Sequence, residues 1–154
     1  MIKRIVVGTD GSEIAQRALS VALDLASSLK TTPEIIVVSA VNYIQVGGGL
    51  TQAPDGAPDL LGEEADGALA SAMELAAKRG FEIHTQRIEG EPASVLLHAA
   101  NGINADLIVV GTHGRQGIMR AMLGSVCTRL LKESDIPVLT VRDGIDARSA
   151  TGQG

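Results

Sequence analysis

Residues 106–126 contain the feature that most constrains the fold and function of this chain. An apolar run from Leu107 to Val110 is short enough to be a buried strand, and it ends at Gly111. Further glycines follow at positions 114 and 117, and a helical pattern starts near Gly124-Ser125. Glycines let backbone N–H groups approach an anion, and a helix begins with unsatisfied N–H groups. This order therefore predicts a site for an anionic ligand, with phosphate the commonest.

The rest of the chain alternates strand-like apolar runs with helical patterns. Strands are predicted for Ile2 to Val7, Glu34 to Val41, Phe81 to Ile88, Asp106 to Val110 and Ile136 to Val141. Helices are predicted after the N-cap Ser12, from Asp59 to Arg79, from Pro92 to Asn101, and from Ser125 to Glu133 with an alternative start near Ile118. Leu123, Val126 and Leu130 are expected on the packing face of the last helix. The alternation predicts an α/β fold, a single doubly wound five-stranded parallel sheet with helices on both faces.

The length of 154 residues predicts one domain. We assign residues 1–142 to this domain and residues 143–154 to a flexible polar tail. The segment from Asn42 to Pro58 is rich in Gly and Pro, opens no helix and lacks a G-x-G-x-x-G pattern. It is therefore predicted to be a surface crossover loop and not a second phosphate loop.

Two polar segments follow predicted strands, and both lie at carboxyl ends. They run from Gly8 to Ser12 after the first strand and from Gly111 to Gly117 after the fourth. Open parallel sheets bind ligands at the carboxyl ends of strands, where the strand order reverses. If the first and fourth strands are neighbours, the two segments line one cleft.

Composition excludes several classes of partner and compartment. The chain has one Phe, one Tyr, no Trp and a net charge of −5, with no basic patch, which argues against nucleic-acid binding. No apolar run approaches the length of a membrane span, and the amino-terminal run is too short for a signal sequence. The single cysteine, Cys127, excludes an intramolecular disulfide and is expected to be a small buried hydrophobe. These features predict a cytoplasmic protein.

Common phosphate-binding templates do not fit. The chain has no G-x-x-x-x-G-K-[ST] sequence, and Gly8-Thr9-Asp10-Gly11-Ser12 lacks the dinucleotide spacing. A response-regulator receiver needs a phospho-accepting Asp after strand three, where Glu89 and Glu91 stand instead.

The pattern that matches is Gly-x2-Gly-x9-Gly-[Ser/Thr], formed by Gly111, Gly114 and Gly124-Ser125. Three further stretches accompany this pattern, namely Val6 to Ser12, Gly90-Glu91-Pro92, and Ile136 to Leu139. In these residues the chain resembles the universal stress protein family, and the resemblance extends from Ile2 to Val141. The glycine pattern is similar to that of the family's ATP-binding branch. Gly8, where Pro or Ala is frequent, and Asn42, where Asp is common, depart from the family pattern.

The resemblance implies ATP as the ligand, with AMP or cyclic AMP as alternatives and Mg²⁺ accompanying the nucleotide. It implies an adenine pocket formed by Gly8 and by the backbone of Ala40, with Val41 next to it. Asp10 would lie on the ribose and adenine side of the nucleotide, and Gly111 would lie beside the ribose. Gly114, Arg115 and Gly117 would wrap the phosphates, and donors would come from the helix start. The complete predicted binding set is Gly8, Thr9, Asp10, Ala40, Val41, Gly111, Thr112, His113, Gly114, Arg115, Gly117, Gly124, Ser125 and Val126.

Two residues of this set have alternative interpretations. Asp10 is either a nucleotide ligand or only an acceptor within the turn at Gly11-Ser12. His113 has no nearby Ser or Cys nucleophile with an orienting carboxylate, so we predict no catalytic residue. His84 and His98 are isolated in the sequence, so we also predict no metal site formed by protein ligands.

The predicted function is that of a stress-response protein that binds an adenine nucleotide and acts as a sensor or adaptor. Nucleotide binding is expected to order the loop from Thr112 to Met119 for a protein partner that the sequence does not identify. The resemblance also implies a homodimer through the last strand, Val138, Leu139, Thr140 and Val141, which would otherwise be an exposed edge. The alternatives are a slow ATPase or nucleotide-transferring enzyme, and a dimerising scaffold without nucleotide.

Overall fold

The computed structural model describes residues 1–43, 59–114 and 123–143. Strands and helices alternate along the described chain as β1 (Arg4–Gly8), α1 (Glu13–Ser28), β2 (Glu34–Val41), α2 (Leu60–Lys78), β3 (His84–Glu89), α3 (Pro92–Gly102), β4 (Leu107–Gly111), α4 (Ser125–Glu133) and β5 (Val138–Val141). Every strand pair is parallel, and the sheet order is β3-β2-β1-β4-β5. The predicted α/β fold is confirmed.

Both faces of the sheet are covered, which explains the continuous apolar runs of its central strands. Alternate strand residues point to opposite faces, so Val7 and Val6 belong to different hydrophobic clusters. The first cluster joins the sheet to α1 and α2, and the second joins it to α3 and α4. A strand buried on both sides needs apolar residues at every position, and β1, β2 and β4 have them at their centres.

Helix ends follow the predicted capping residues. The Ser12 Oγ accepts a hydrogen bond from the Ala15 N–H at 3.3 Å and so caps α1. After α2, Gly80 adopts a φ of +75°, and the Phe81 N–H donates to the Ala76 carbonyl at 2.9 Å. This closure turns the chain out of the helix, which is the role predicted from the glycine.

Several predicted boundaries are wrong by a few residues. The first strand begins at Arg4 and not Ile2, and β3 begins at His84 because Phe81 still closes α2. The last strand begins at Val138 because Ser134 and Ile136 hydrogen-bond to each other in the preceding turn.

Leu123 does not pack on the last helix as predicted. It precedes the N-cap and is 37% exposed, and the buried residues of α4 are Cys127 and Leu130. The prediction that Cys127 is a small buried residue is confirmed.

Some predictions lie outside the described residues. These are the body of the loop between Asn42 and Pro58, the alternative helix start near Ile118, Arg115, Gly117, and all of the tail except Asp143. In the part of the chain that is described, no helix combines the length and apolar character required to cross a membrane.

Asp106 joins the start of β1, the central strand of the sheet, to the start of its neighbour β4. Its Oδ2 accepts hydrogen bonds from the N–H groups of Lys3 at 2.7 Å and Arg4 at 3.0 Å. Its own N–H donates to the Arg4 carbonyl at 2.9 Å. The hydrogen bonds from the Lys3 and Arg4 N–H groups lower the pKa of Asp106, because they favour the charged carboxylate.

We expect Asp106→Asn to lower the stability of the protein at neutral pH, because an amide accepts these N–H groups less strongly than a carboxylate does. Since the folded-state pKa is depressed, the wild-type advantage is fully present above the unfolded-state pKa of about 4. It is then lost as the pH falls through the folded-state pKa. Urea denaturation of both proteins between pH 7 and pH 3 measures the difference, with Asp135→Asn, at an exposed turn, as the control. A wild-type advantage of the same size at both ends of this range would contradict the prediction.

Candidate functional site

The strand order reverses at β1, and this reversal brings the two predicted polar segments together. β1 pairs with β2 on one side and with β4 on the other, with Val7 opposite Val37 and Val109. The loop after β1 and the loop after β4 therefore begin side by side, at the carboxyl ends of these two neighbouring strands. Ligand clefts of open parallel sheets form at such a reversal.

A cavity of about 480 Å³ lies at the carboxyl ends of these strands. Its walls are the carboxyl ends of β1, β2 and β4 together with the amino-terminal parts of α1, α3 and α4. The lining residues are Gly8, Thr9, Asp10, Ala15, Val38, Ala40, Pro92, Leu96, Val110, Gly111, Thr112, His113, Gly114, Gly124, Ser125, Val126 and Cys127.

All described members of the predicted binding set line this cavity except Val41. Val41 is 2% exposed and lines a separate cavity of about 110 Å³, which shares Asp10 and Ala40 with the larger one. Arg115 and Gly117 lie outside the described residues. The two segments at the carboxyl ends of β1 and β4 thus meet the start of α4 at one place.

Sequence reasoning missed six apolar residues of the lining, which are Ala15, Val38, Pro92, Leu96, Val110 and Cys127. Two of these residues carried a usable signal. Val38 lies two residues before Ala40 on the same strand, and side chains two apart in a strand share a face. Leu96 lies one helical turn after Pro92, which places both residues on one side of α3.

The β1–α1 loop is held by its own side chains. The Thr9 Oγ1 accepts a hydrogen bond from the Gly11 N–H at 3.1 Å, and Asp10 Oδ1 accepts one from the Ser12 N–H at 3.0 Å. Gly11 has a φ of +80°, which favours glycine. Asp10 therefore has the turn role considered as an alternative, and its carboxylate also lines the cavity.

The carboxylate of Asp10 lies directly against the backbone of Gly114. A Cβ built at Gly114 would be 2.5 Å from Asp10 Oδ2, closer than real Cβ atoms approach. A side chain at position 114 would therefore have to displace the Asp10 carboxylate from this place.

Helix α4 begins differently from the other helices of the described chain. α1, α2 and α3 have side-chain caps from Ser12, Asp59 and Glu91. α4 has Gly124 as its N-cap, and the Gly124 N–H donates to the Thr112 carbonyl at 2.6 Å. The N–H groups of the first turn of α4 therefore receive no cap from the N-cap residue, and they adjoin the cavity. This is the geometry that favours an anion.

His113 has an orienting carboxylate, so that part of the sequence prediction is wrong. Its Nε2 lies 3.1 Å from Asp143 Oδ2, and its Nδ1 lies 3.3 Å from Thr112 Oγ1. The partner was missed because Asp143 was assigned to the tail, thirty residues away along the chain. Both ring nitrogens thus have a neighbouring polar atom, which fixes the plane of the imidazole.

An ion pair connects the two helices that form the walls of the cavity. Arg129 of α4 contacts Glu91, whose carboxylate also accepts the N–H groups of Ala93 and Ser94 at 3.1 and 2.9 Å. Burial raises the pKa of Glu91, but these backbone hydrogen bonds and the charge of Arg129 outweigh it, so the net pKa is lowered. Glu91 is therefore charged at neutral pH while it caps α3.

Cys127 faces the cavity from the first turn of α4 but is poorly suited to redox chemistry. It is 1% exposed, and burial raises the pKa of its thiol. A protonated, buried thiol is a weak nucleophile. Among the described residues, no group of three or more His, Cys, Asp or Glu side chains is arranged to hold a metal ion.

Comparisons with known proteins identify relatives over nearly the whole chain. A sequence model of the universal stress protein family matches residues 1–142. Universal stress protein MJ0531 of Methanocaldococcus jannaschii is 36% identical over 142 residues, which cover 92% of this chain and 83% of that protein.

Solved structures agree with this result. The structure of the hypothetical protein MJ0577 has a TM-score of 0.77 at 25% identity, covering 94% of this chain and 98% of that one. A universal stress protein solved in complex with cAMP has a TM-score of 0.68 at 28% identity, covering 91% of this chain and 97% of that one.

We expect Glu91→Ala to lower the free energy of unfolding by about 1 kcal/mol, because it removes the cap of α3. The substitution also leaves Arg129 without this partner. Urea denaturation at pH 7 measures the loss, and Glu82→Ala, at an exposed residue before β3, should change the value by less than about 0.5 kcal/mol. Equal losses for the two variants would contradict the capping role of Glu91.

Proposed function

The chain belongs to the universal stress protein family, and we propose that it binds an adenine nucleotide in the cavity between β1 and β4. ATP is the expected ligand, and the protein acts as a nucleotide-dependent sensor or adaptor in a stress response. The observation that carries the proposal is the convergence of Gly111, Gly114 and Gly124-Ser125 on one cavity at the start of α4.

The two ends of the cavity suit the two ends of a nucleotide. Backbone N–H groups at the start of α4 favour the phosphates, and Gly114, which lines the same cavity, has no side chain to keep a ligand from the main chain. The methyl-rich surface of Val38, Leu96 and Val110 favours the purine ring, because burying apolar surface is favourable. The relative solved with cAMP supports an adenine nucleotide as the class of ligand.

Asp10 would bind the sugar. A carboxylate accepts hydrogen bonds from ribose hydroxyls, whereas the same charge repels phosphate oxygens. Mg²⁺ would accompany ATP and be held by the phosphates, since among the described residues no cluster of protein ligands is arranged for a metal ion. The cation would also reduce the repulsion between the phosphates and Asp10.

Thr112 offers a route by which a ligand in the cavity would influence β5, the outermost strand of the sheet. Its carbonyl accepts the Gly124 N–H at the start of α4, and its own N–H donates to the Val141 carbonyl of β5 at 2.9 Å. A ligand held at the start of α4 would therefore act on residues bonded directly to the last strand. This connection supports an adaptor role.

The last strand is proposed to be the interface of a homodimer. β5 lies at one edge of the sheet, next to β4. The Pro137 carbonyl accepts a hydrogen bond from the Ile108 N–H, and the Val141 carbonyl accepts one from the Thr112 N–H. The backbone groups of Val138 and Thr140 consequently point away from β4, toward the free edge. An unpaired edge with apolar side chains is normally covered. We also propose a cytoplasmic location, which the single buried cysteine supports.

We expect Gly114→Val to abolish nucleotide binding, because a side chain at this position would displace the Asp10 carboxylate and would occupy part of the cavity that both residues line. The measurement is chromatography of nucleotide released from the purified, denatured protein, followed by calorimetric titration of emptied protein with ATP. Gly102→Val is the matched control, because a Cβ at Gly102 meets no atom within 4 Å.

Each result of this experiment has a definite meaning. ATP retained by wild type and by Gly102→Val, but not by Gly114→Val, would support the proposal and argue against an ATPase. If the wild type retains ADP and the His113→Ala variant no longer hydrolyses ATP, the alternative of slow hydrolysis would be favoured. If wild-type protein neither retains nor binds ATP, AMP or cyclic AMP, the nucleotide proposal is wrong.

The dimer proposal predicts that Thr140→Pro gives a monomer, because proline removes the outward N–H without removing a bond to β4. Thr140→Val keeps that N–H and should leave the assembly unchanged. Sedimentation equilibrium of the three proteins at equal concentration measures their masses. A monomeric wild type, or a dimeric Thr140→Pro variant, would contradict an interface through β5.

A further inference from the structure

Helix α4 is short and has few buried residues, although its start adjoins the cavity. Of its nine residues, only Cys127 and Leu130 are buried. A helix of this length is unstable on its own in water, so its place depends on contacts with other elements. At its start, the Gly124 N–H donates to the Thr112 carbonyl, just after β4. That hydrogen bond holds one point of α4, and it does not by itself fix the direction of the helix.

A second polar contact between α4 and another element is the ion pair of Arg129 with Glu91. Glu91 is itself held in place, because its carboxylate accepts two backbone N–H groups at the start of α3. The N–H of Gly90, the preceding residue, donates to the Val41 carbonyl of β2 at 3.0 Å. The ion pair therefore connects α4 to α3 and to the end of β2, a strand that β1 separates from β4.

Arg129 lies on the side of α4 that carries two residues of the cavity lining, one helical turn further along. Ser125 precedes it by four residues and Val126 by three, and residues at these spacings share a helix face. The described residues that line the cavity do not include Arg129 or Glu91. The ion pair thus adjoins the site without entering it, so its effect on a ligand must pass through the position of α4.

We propose that Glu91 and Arg129 form a positioning pair, which holds the first turn of α4 where its N–H groups meet the phosphates of the nucleotide. Without the pair, α4 shifts about its hydrogen bond to Thr112, and these N–H groups lose their alignment with the ligand. Hydrogen bonds weaken steeply with misalignment, so a small shift is sufficient. This inference rests on the proposed function, because it concerns the phosphates of the nucleotide bound there.

A comparison of ATP with adenosine tests this role in the full chain, because adenosine has the base and the sugar but no phosphate. Dissociation constants are measured by calorimetry for wild type, Arg129→Gln, Glu91→Gln and the double variant. We expect each single substitution to weaken ATP binding about fivefold and to change adenosine binding by less than about twofold. The double variant should bind ATP no more weakly than either single variant, because all three lack the same ion pair.

The same measurements separate positioning from a direct contact between Arg129 and the phosphates. Glu91→Gln keeps a side-chain oxygen for the cap of α3 but leaves Arg129 without this carboxylate. If Arg129 bound the phosphates directly, this variant would bind ATP as tightly as wild type or more tightly, which would overturn the inference. Positioning requires a loss equal to that of Arg129→Gln. Arg129→Lys keeps a positive charge opposite Glu91 and should recover part of the ATP affinity.

Glu133→Gln is the matched control. Glu133 is the other partner of Arg129, whose Nε lies 2.9 Å from Glu133 Oε2, but both residues belong to α4. The variant removes an ion pair of Arg129 without releasing α4 from α3, so it should bind ATP within about twofold of wild type. A loss as large as that of Arg129→Gln would overturn the inference, because the connection to α3 would then not be the cause.

Hydrogen exchange of the protein without nucleotide supplies a test that needs no ligand. We expect the backbone amides of α4 to exchange faster in Arg129→Gln than in wild type, while those of α1 keep their rates. Unchanged exchange in α4, or an equal loss of affinity for ATP and adenosine, would overturn the inference. A wild type that binds neither compound would overturn the proposed function, and with it the role toward phosphate, while the exchange rates would still decide whether the ion pair holds α4.

Discussion

The placement of β1 between β2 and β4 is the constraint on which the rest of the structure depends. Because the strands are parallel, their carboxyl ends meet at one edge, and the chain leaves β1 and β4 as two adjacent loops. The same arrangement brings the first turns of α3 and α4 to that edge, where Glu91 and Arg129 connect them. Asp106 reinforces the β1–β4 pairing from the opposite end. A different strand order would leave the glycine loop after β4 without the β1 loop that it packs against.

Much of the fold could be predicted from local signals. The apolar runs at Ile5 to Val7 and Leu107 to Val110 indicated strands covered on both faces, and Ser12 and Gly80 correctly marked helix ends. Strand starts were less predictable, because turn hydrogen bonds such as that of the Phe81 N–H compete with pairing in the sheet. For the site, glycines and loop polar residues were visible in the sequence. The Asp143 carboxylate beside His113 was not, because only tertiary structure brings the ends of β4 and β5 together.

Glycines around the cavity serve different physical purposes, which a sequence pattern does not separate. Gly11 is needed for its backbone conformation, and Gly114 leaves the space that the Asp10 carboxylate occupies. Gly8 leaves room for a side chain on another element. Only the first of these roles follows from local sequence. The other two depend on contacts between residues far apart in the chain, so the same residue type carries information about turn geometry, loop packing and cavity shape.

The missing side-chain cap of α4 has a consequence for the energetics of the whole chain. α1, α2 and α3 obtain their cap hydrogen bonds from their own side chains on folding, each worth about 1 kcal/mol. α4 starts at a glycine, which has no side chain, so its first turn obtains no such hydrogen bond from the N-cap residue. An anion bound there would supply it, and a ligand present at about one hundred times its dissociation constant stabilises a folded protein by about 2.7 kcal/mol. The fraction of molecules that unfold, and are thereby exposed to proteases, would then depend on the cellular concentration of that ligand.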